Sequence, residues 1–62
     1  MPVVTIEMWE GRTLEQKKEL VKTVTSAVAR SIRCPEDAVV VVIHELPRDN
    51  WATGGKLSSD EY

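Results

Sequence analysis

Apolar residues alternate at the start of the chain. Val4, Ile6 and Met8 share one parity with Pro2, and Val3, Thr5, Glu7 and Trp9 share the other. A period of two marks an extended strand with two unlike faces. The alternation stops at Glu10-Gly11-Arg12-Thr13, and the spacing beyond it is helical. Leu14, Val21, Val24, Ala27, Val28 and Ile32 form a stripe with Leu20 alongside, while Lys17, Lys18, Lys22 and Arg30 fall mainly outside it. Thr13 followed by Gln16 is a capping-box signature, and Glu15 in the first turn suits the helix dipole. A helix from Leu14 to about Ile32 spans roughly 28 Å. Pro35 ends it, because the residue before a proline is pushed out of the helical region. Ala38 to Ile43 is then apolar on both parities, the pattern of a strand buried on both faces.

Strand, helix and strand in this order predict a βαβ unit with parallel strands and a right-handed crossover. The fold class is α+β, with residues 1–62 expected to form a single domain. One helix covers only one face of a two-stranded sheet, so the other face needs a second subunit. After Pro47 the chain turns polar through Arg48-Asp49-Asn50, and Gly54-Gly55 predicts a short C-terminal hairpin or arm. Trp51 has no place in so small a core and is expected against a neighbouring subunit or in a pocket. The tail from Ser58 to Tyr62 is expected to be loosely held.

Size strengthens the case for assembly. A chain of 62 residues buries only about 60% of its unfolded surface, which leaves a monomer marginal. Such chains are supplemented by disulfides, a metal or oligomerisation. Cys34 is the single cysteine and His44 the single histidine, so neither an internal disulfide nor a Cys/His metal cluster is available. A net charge of −2 gives no electrostatic case for nucleic acid. No apolar run approaches the roughly 20 residues of a membrane span, and no signal peptide is expected. The composition points to a soluble, cytoplasmic homo-oligomer.

The candidate chemistry begins at Pro2. Removal of Met1 would leave the proline ring nitrogen as the amino terminus, a secondary amine instead of an amide. Desolvation of such an amine disfavours its protonated form, so it could serve near neutral pH as a general base or nucleophile. Arg12 lies in the loop after the first strand, and its planar fork suits a carboxylate. His44 reads as a strand-end histidine with no evident partner, and Cys34 as filler at the helix exit. No serine stands in a nucleophile-elbow context, and Gly54-Gly55 lacks the Lys-Ser or Lys-Thr of a phosphate loop. Glu36-Asp37 reads as a solvated turn.

Pro2 behind the initiator, Glu10-Gly11-Arg12, Glu15-Gln16-Lys17, the βαβ spacing, Trp51 and Gly54-Gly55 together resemble the 4-oxalocrotonate tautomerase family over nearly the whole chain. The resemblance implies a homohexamer, a trimer of dimers, in which paired subunits form four-stranded sheets. It implies a cofactor-independent isomerase whose amino-terminal proline moves a proton within a 2-hydroxydienoate or enol to give the 2-oxo acid. By position, Pro2 would be the base, Arg12 would hold the distal carboxylate, and Trp51 would be the apolar wall where the family usually has phenylalanine. The chain departs from the family at Val40, where an arginine that binds the 2-oxo end is expected. Arg48, His44 and Lys56 are the candidate replacements, with Arg48 favoured by its place in the loop leading to Trp51. With that arginine missing, monocarboxylate enols such as phenylenolpyruvate are expected to be handled at least as well as the dicarboxylate; the competing reading is that Arg48 restores the contact, and the dicarboxylate is then preferred. A non-catalytic module, and a hydratase or decarboxylase with Pro2 as acid, are the alternatives. The pKa of the amine separates acid from base.

Overall fold

The computed structural model describes residues 1–61, with side chains through Asp60. Strand β1 runs Val3–Trp9, helix α1 Leu14–Ile32 and strand β2 Val40–Leu46. The two strands pair in parallel from Val3↔Val40 to Trp9↔Leu46. The ladder continues at both ends, through Val40 N–H to Pro2 C=O (3.0 Å) and Glu10 N–H to Leu46 C=O (3.0 Å). After β2 the chain makes a 3-10 turn, then a hairpin of β3 (Ala52–Thr53) and β4 (Lys56–Leu57), then a short helix α2 (Ser58–Glu61). The expected α+β unit with parallel strands and a C-terminal hairpin is what forms.

Helix α1 starts where its cap dictates. Thr13 Oγ1 accepts from Gln16 N–H (3.1 Å), and Gln16 Oε1 accepts from Thr13 N–H (2.9 Å). Each satisfies a backbone donor that the first turn leaves orphaned. The helix ends with Arg33 in the left-handed region (φ 58°), and Ala29 C=O accepts from Cys34 N–H at 3.1 Å. Leu20, Val21, Val24, Val28 and Ala29 turn toward the sheet. Ala29 is the most enclosed apolar residue, 6% exposed. Ala27, expected in the stripe, lies on the solvent side instead. The stripe follows i, i+4 and i+7/i+8 from Val21, which selects Val28 and Ala29.

Strand β2 is displaced from its expected Ala38–Ile43. Glu36–Ala38 forms a 3-10 turn after Pro35, held by Ala38 N–H to Pro35 C=O (3.1 Å). The strand then extends to Leu46, because its seven residues match the seven of β1. His44 is therefore inside the strand and not at its end. Its Nδ1 lies 3.0 Å from Glu7 Oε2, its cross-strand neighbour. The pair is about half exposed on each side, so it contributes little by itself.

The apolar parity of β2 divides as two faces require. Val41 and Ile43 face the helix together with Val4, Ile6 and Met8, whereas Val40 and Val42 stay 39% and 37% exposed beside Val3 at 61%. Among the described residues no large side chain is fully buried. The radius of gyration is 14.5 Å and the extents are 42 × 25 × 13 Å, against about 11 Å expected for a compact chain of this length. A slab this flat has one covered sheet face and one bare one. Among the described residues no helix is long and apolar enough to cross a membrane.

Candidate active site

Two groups of residues sit at the two ends of the β1–β2 sheet. At the end where the strands begin, Pro2 is half-buried beside Val40, and its carbonyl takes the Val40 N–H. Met1, ahead of it, is 91% exposed. At the end where the strands finish, Arg12 lies on the helix side, and Trp9, Arg48 and Trp51 form a separate cluster. Gly11, at φ +118°, gives a turn that an L side chain strains to make, and it releases Arg12 into the β1–α1 loop. Arg12 lines a cleft of about 300 Å³ with Met8, Gln16, Lys17 and Leu20. Lys17 Nζ is held there by Glu45 Oε1 at 2.8 Å, which ties the helix start to β2.

The 3-10 turn Arg48–Asn50 carries the other members. Asn50 N–H reaches Pro47 C=O (3.0 Å) and Trp51 N–H reaches Arg48 C=O (3.3 Å). Trp51 meets Trp9 edge to face, with ring centroids 5.9 Å apart at 74°, a favoured aromatic geometry. Arg48 Cζ lies over the Trp9 ring, 4.6 Å from its centroid. Trp51 therefore has a partner within its own chain. Ser58 secures the cluster: its N–H donates to Trp51 C=O at 2.8 Å, and the residue is 4% exposed. The expected loose tail is thus anchored at Ser58, and Tyr62 lies outside the described residues. Gly54 and Gly55, both at positive φ (60° and 82°), make the tight turn of the β3–β4 hairpin. Lys56 sits in β4 opposite Thr53, exposed.

Trp9 is the member that sequence reasoning missed. Its parity placed it on the open sheet face, and only the return of the chain through Pro47 shows that Arg48 and Trp51 close on it. The residues singled out from the sequence do not all meet within one chain. Strand β1 is seven residues long, so at about 3.3 Å per residue its two ends, which Pro2 and Arg12 flank, stand about 20 Å apart.

A parallel βαβ unit with one bare sheet face and its polar groups at the strand ends defines an α+β building block. The family model described as "Tautomerase enzyme" matches residues 2–61. The chain is 48% identical over 60 residues to a "2-hydroxymuconate tautomerase" of Bacillus subtilis, covering 97% of each chain. A crystal structure of a 4-oxalocrotonate tautomerase homologue superposes with a TM-score of 0.91 at 47% identity, covering 95% of this chain and 97% of that one. A heterohexamer 4-oxalocrotonate tautomerase from Chloroflexus aurantiacus superposes with a TM-score of 0.93 at 35% identity, covering 97% of each. The chain belongs to the tautomerase family, among the homologues of 4-oxalocrotonate tautomerase, whose members are isomerases.

Proposed function

We propose that the protein interconverts the enol and keto forms of 2-hydroxydienoates or related 2-oxo acids, with the amino-terminal nitrogen of Pro2 as general base after Met1 is removed. The neutral nitrogen takes a proton from the substrate and returns it to another atom of the same conjugated system. The reaction is thus balanced without a co-reactant, and the carbonyl of the 2-oxo form spreads the developing charge.

The observation that carries this reading is the separation of the two sheet ends. A substrate of half a dozen carbons cannot reach from Pro2 to Arg12 of one chain, so the site is composite. Pro2 and Val40 of one subunit meet the Arg12, Arg48, Trp9 and Trp51 end of another. The bare face of Val3, Val40 and Val42 supplies the surface for that assembly, and its burial stabilises the oligomer by about 25 cal/mol per Å². The hexameric state of the Chloroflexus relative makes a hexamer, a trimer of dimers, the proposed form here. In the assembled site Arg12 holds the distal carboxylate. Trp51 provides an apolar wall, which lowers the pKa of the Pro2 amine by desolvation. Arg48, already placed on Trp9, provides the cation that Val40 does not.

Intact mass should show loss of one methionine, and Pro2→Ala should reduce kcat/KM on 2-hydroxymuconate by about a hundredfold or more in a folded assembly. Since the neutral amine is the active form, kcat/KM should rise with pH through the amine's pKa and then level. A retained Met1, or turnover unchanged in Pro2→Ala, contradicts the proposal. A profile that falls as the amine deprotonates would assign Pro2 the acid role instead.

A further inference from the structure

Arg48 extends from a backbone fixed by a 3-10 turn, and its guanidinium lies over Trp9, 4.6 Å from the ring centroid. Trp9 is in turn braced by the edge-to-face contact with Trp51, whose carbonyl is held by Ser58 N–H. A cation over an indole is attracted to the ring face. That contact leaves the guanidinium N–H donors, which lie in its own plane, free for other acceptors. Among the described residues no carboxylate pairs with Arg48; the ion pairs join Lys17 to Glu45, Lys18 to Glu15 and His44 to Glu7. Arg48 is therefore a pre-placed fork with its donors unclaimed. The ring contact favours this placement of an exposed side chain, so less ordering is left for binding.

We propose that Trp9 is a positioning residue. It holds Arg48 so that the guanidinium grips the planar carboxylate and 2-oxo head of the substrate, the role that Val40 leaves vacant. The proposal rests on the tautomerase reading above and assigns the substrate class of its second cation: a 2-oxo acid or its enol. A dicarboxylate such as 2-hydroxymuconate and a monocarboxylate such as phenylenolpyruvate both present that head. Trp9 and Arg48 therefore act on both, whereas Arg12 acts on the distal carboxylate of the first. Because charge grows on the 2-oxo oxygen as the proton leaves, the loss should fall mainly on kcat and less on KM.

The test is a double-mutant cycle on the full-length protein with both substrates, using Arg48→Ala, Trp9→Leu, the double variant and Trp9→Phe, with assembly checked by light scattering. Arg48→Ala and Trp9→Leu should each lower kcat/KM by about tenfold, chiefly in kcat, and the double variant should lose little more than either. Trp9→Phe keeps a ring face and should stay within about threefold of wild type. If Trp9→Leu does not assemble, Trp9→Met fills the volume without a ring face and takes its place in the cycle. Losses that multiply in the double variant, or a Trp9→Leu enzyme with normal kcat beside a damaged Arg48→Ala, overturn the positioning role and leave the tautomerase reading intact. Full activity in Arg48→Ala overturns both the Arg48 assignment and this inference, while Pro2→Ala reports separately on the general base.

Discussion

The two ends of the β1–β2 sheet are built by opposite means. Where the strands begin, Pro2 and Val40 are joined through one backbone hydrogen bond, and neither side chain carries a charge. Where they finish, Arg48 and two indoles pack beside a 3-10 turn, and a glycine-hinged loop sets Arg12 in a cleft on the helix side. The first end offers apolar surface and, on the proposed removal of Met1, an amine. The second offers cations and aromatic walls. In the proposed composite site neither end suffices alone, and strand β1 keeps the two apart. On that proposal, activity and assembly depend on the same surface.

The sharpest way to break this division is to prevent the ends of different subunits from meeting. Val42 is in the middle of the bare face, and a carboxylate there would be buried without a partner, which costs several kcal/mol. Val42→Asp should dissociate the assembly and abolish activity, with size by light scattering and turnover lost together. An active Val42→Asp monomer would mean that one chain holds the whole site.

A smaller effect separates the cations. The wild-type enzyme should prefer 2-hydroxymuconate over phenylenolpyruvate by about tenfold or more, equivalent to about 1.4 kcal/mol. Arg12→Ala should erase that preference, because a charge-assisted contact to the distal carboxylate is worth roughly 1.5–3 kcal/mol. Turnover of the monocarboxylate should change little. Equal loss on both substrates would place Arg12 at the shared head and displace Arg48 from it.

The smallest effect touches only the scaffold. Thr13 closes the capping box of α1, and Thr13→Ala should lower stability by about 1 kcal/mol, read as a shift in the denaturation midpoint, while kcat on the assembled protein holds. A drop in kcat without a shift in midpoint would show that the cap also orients the neighbouring Arg12.

The elements were legible because each had a local cause. The period of two from Val3 to Trp9, the capping box at Thr13 and Gln16, and the Gly54-Gly55 pair each specify their structure within a few residues. The start of β2 was misplaced because Ala38 and Val39 satisfy an apolar run as well as a strand does. Only the register against β1 moves the strand on to Leu46. The same register makes His44 the neighbour of Glu7 across 37 positions, a pairing that no local pattern contains. For the candidate site, Pro2 and Arg12 could be named from motif spacing, but their separation could not, since it follows from the length of an intact strand. Trp9 was hidden for a similar reason: its partners arrive from the far side of β2, after the helix and crossover.

Subunit complementation tests the composite site most directly. Pro2→Ala and Arg12→Ala proteins are each assayed with 2-hydroxymuconate alone, then dissociated, mixed in equal amounts and reassembled. If Pro2 of one subunit works with Arg12 of another, random mixing should restore about a quarter of the wild-type sites. Activity should then climb well above both parents while their own assemblies stay impaired. A mixture no more active than the average of its parents would place Pro2 and Arg12 of one chain in the same site and contradict the account.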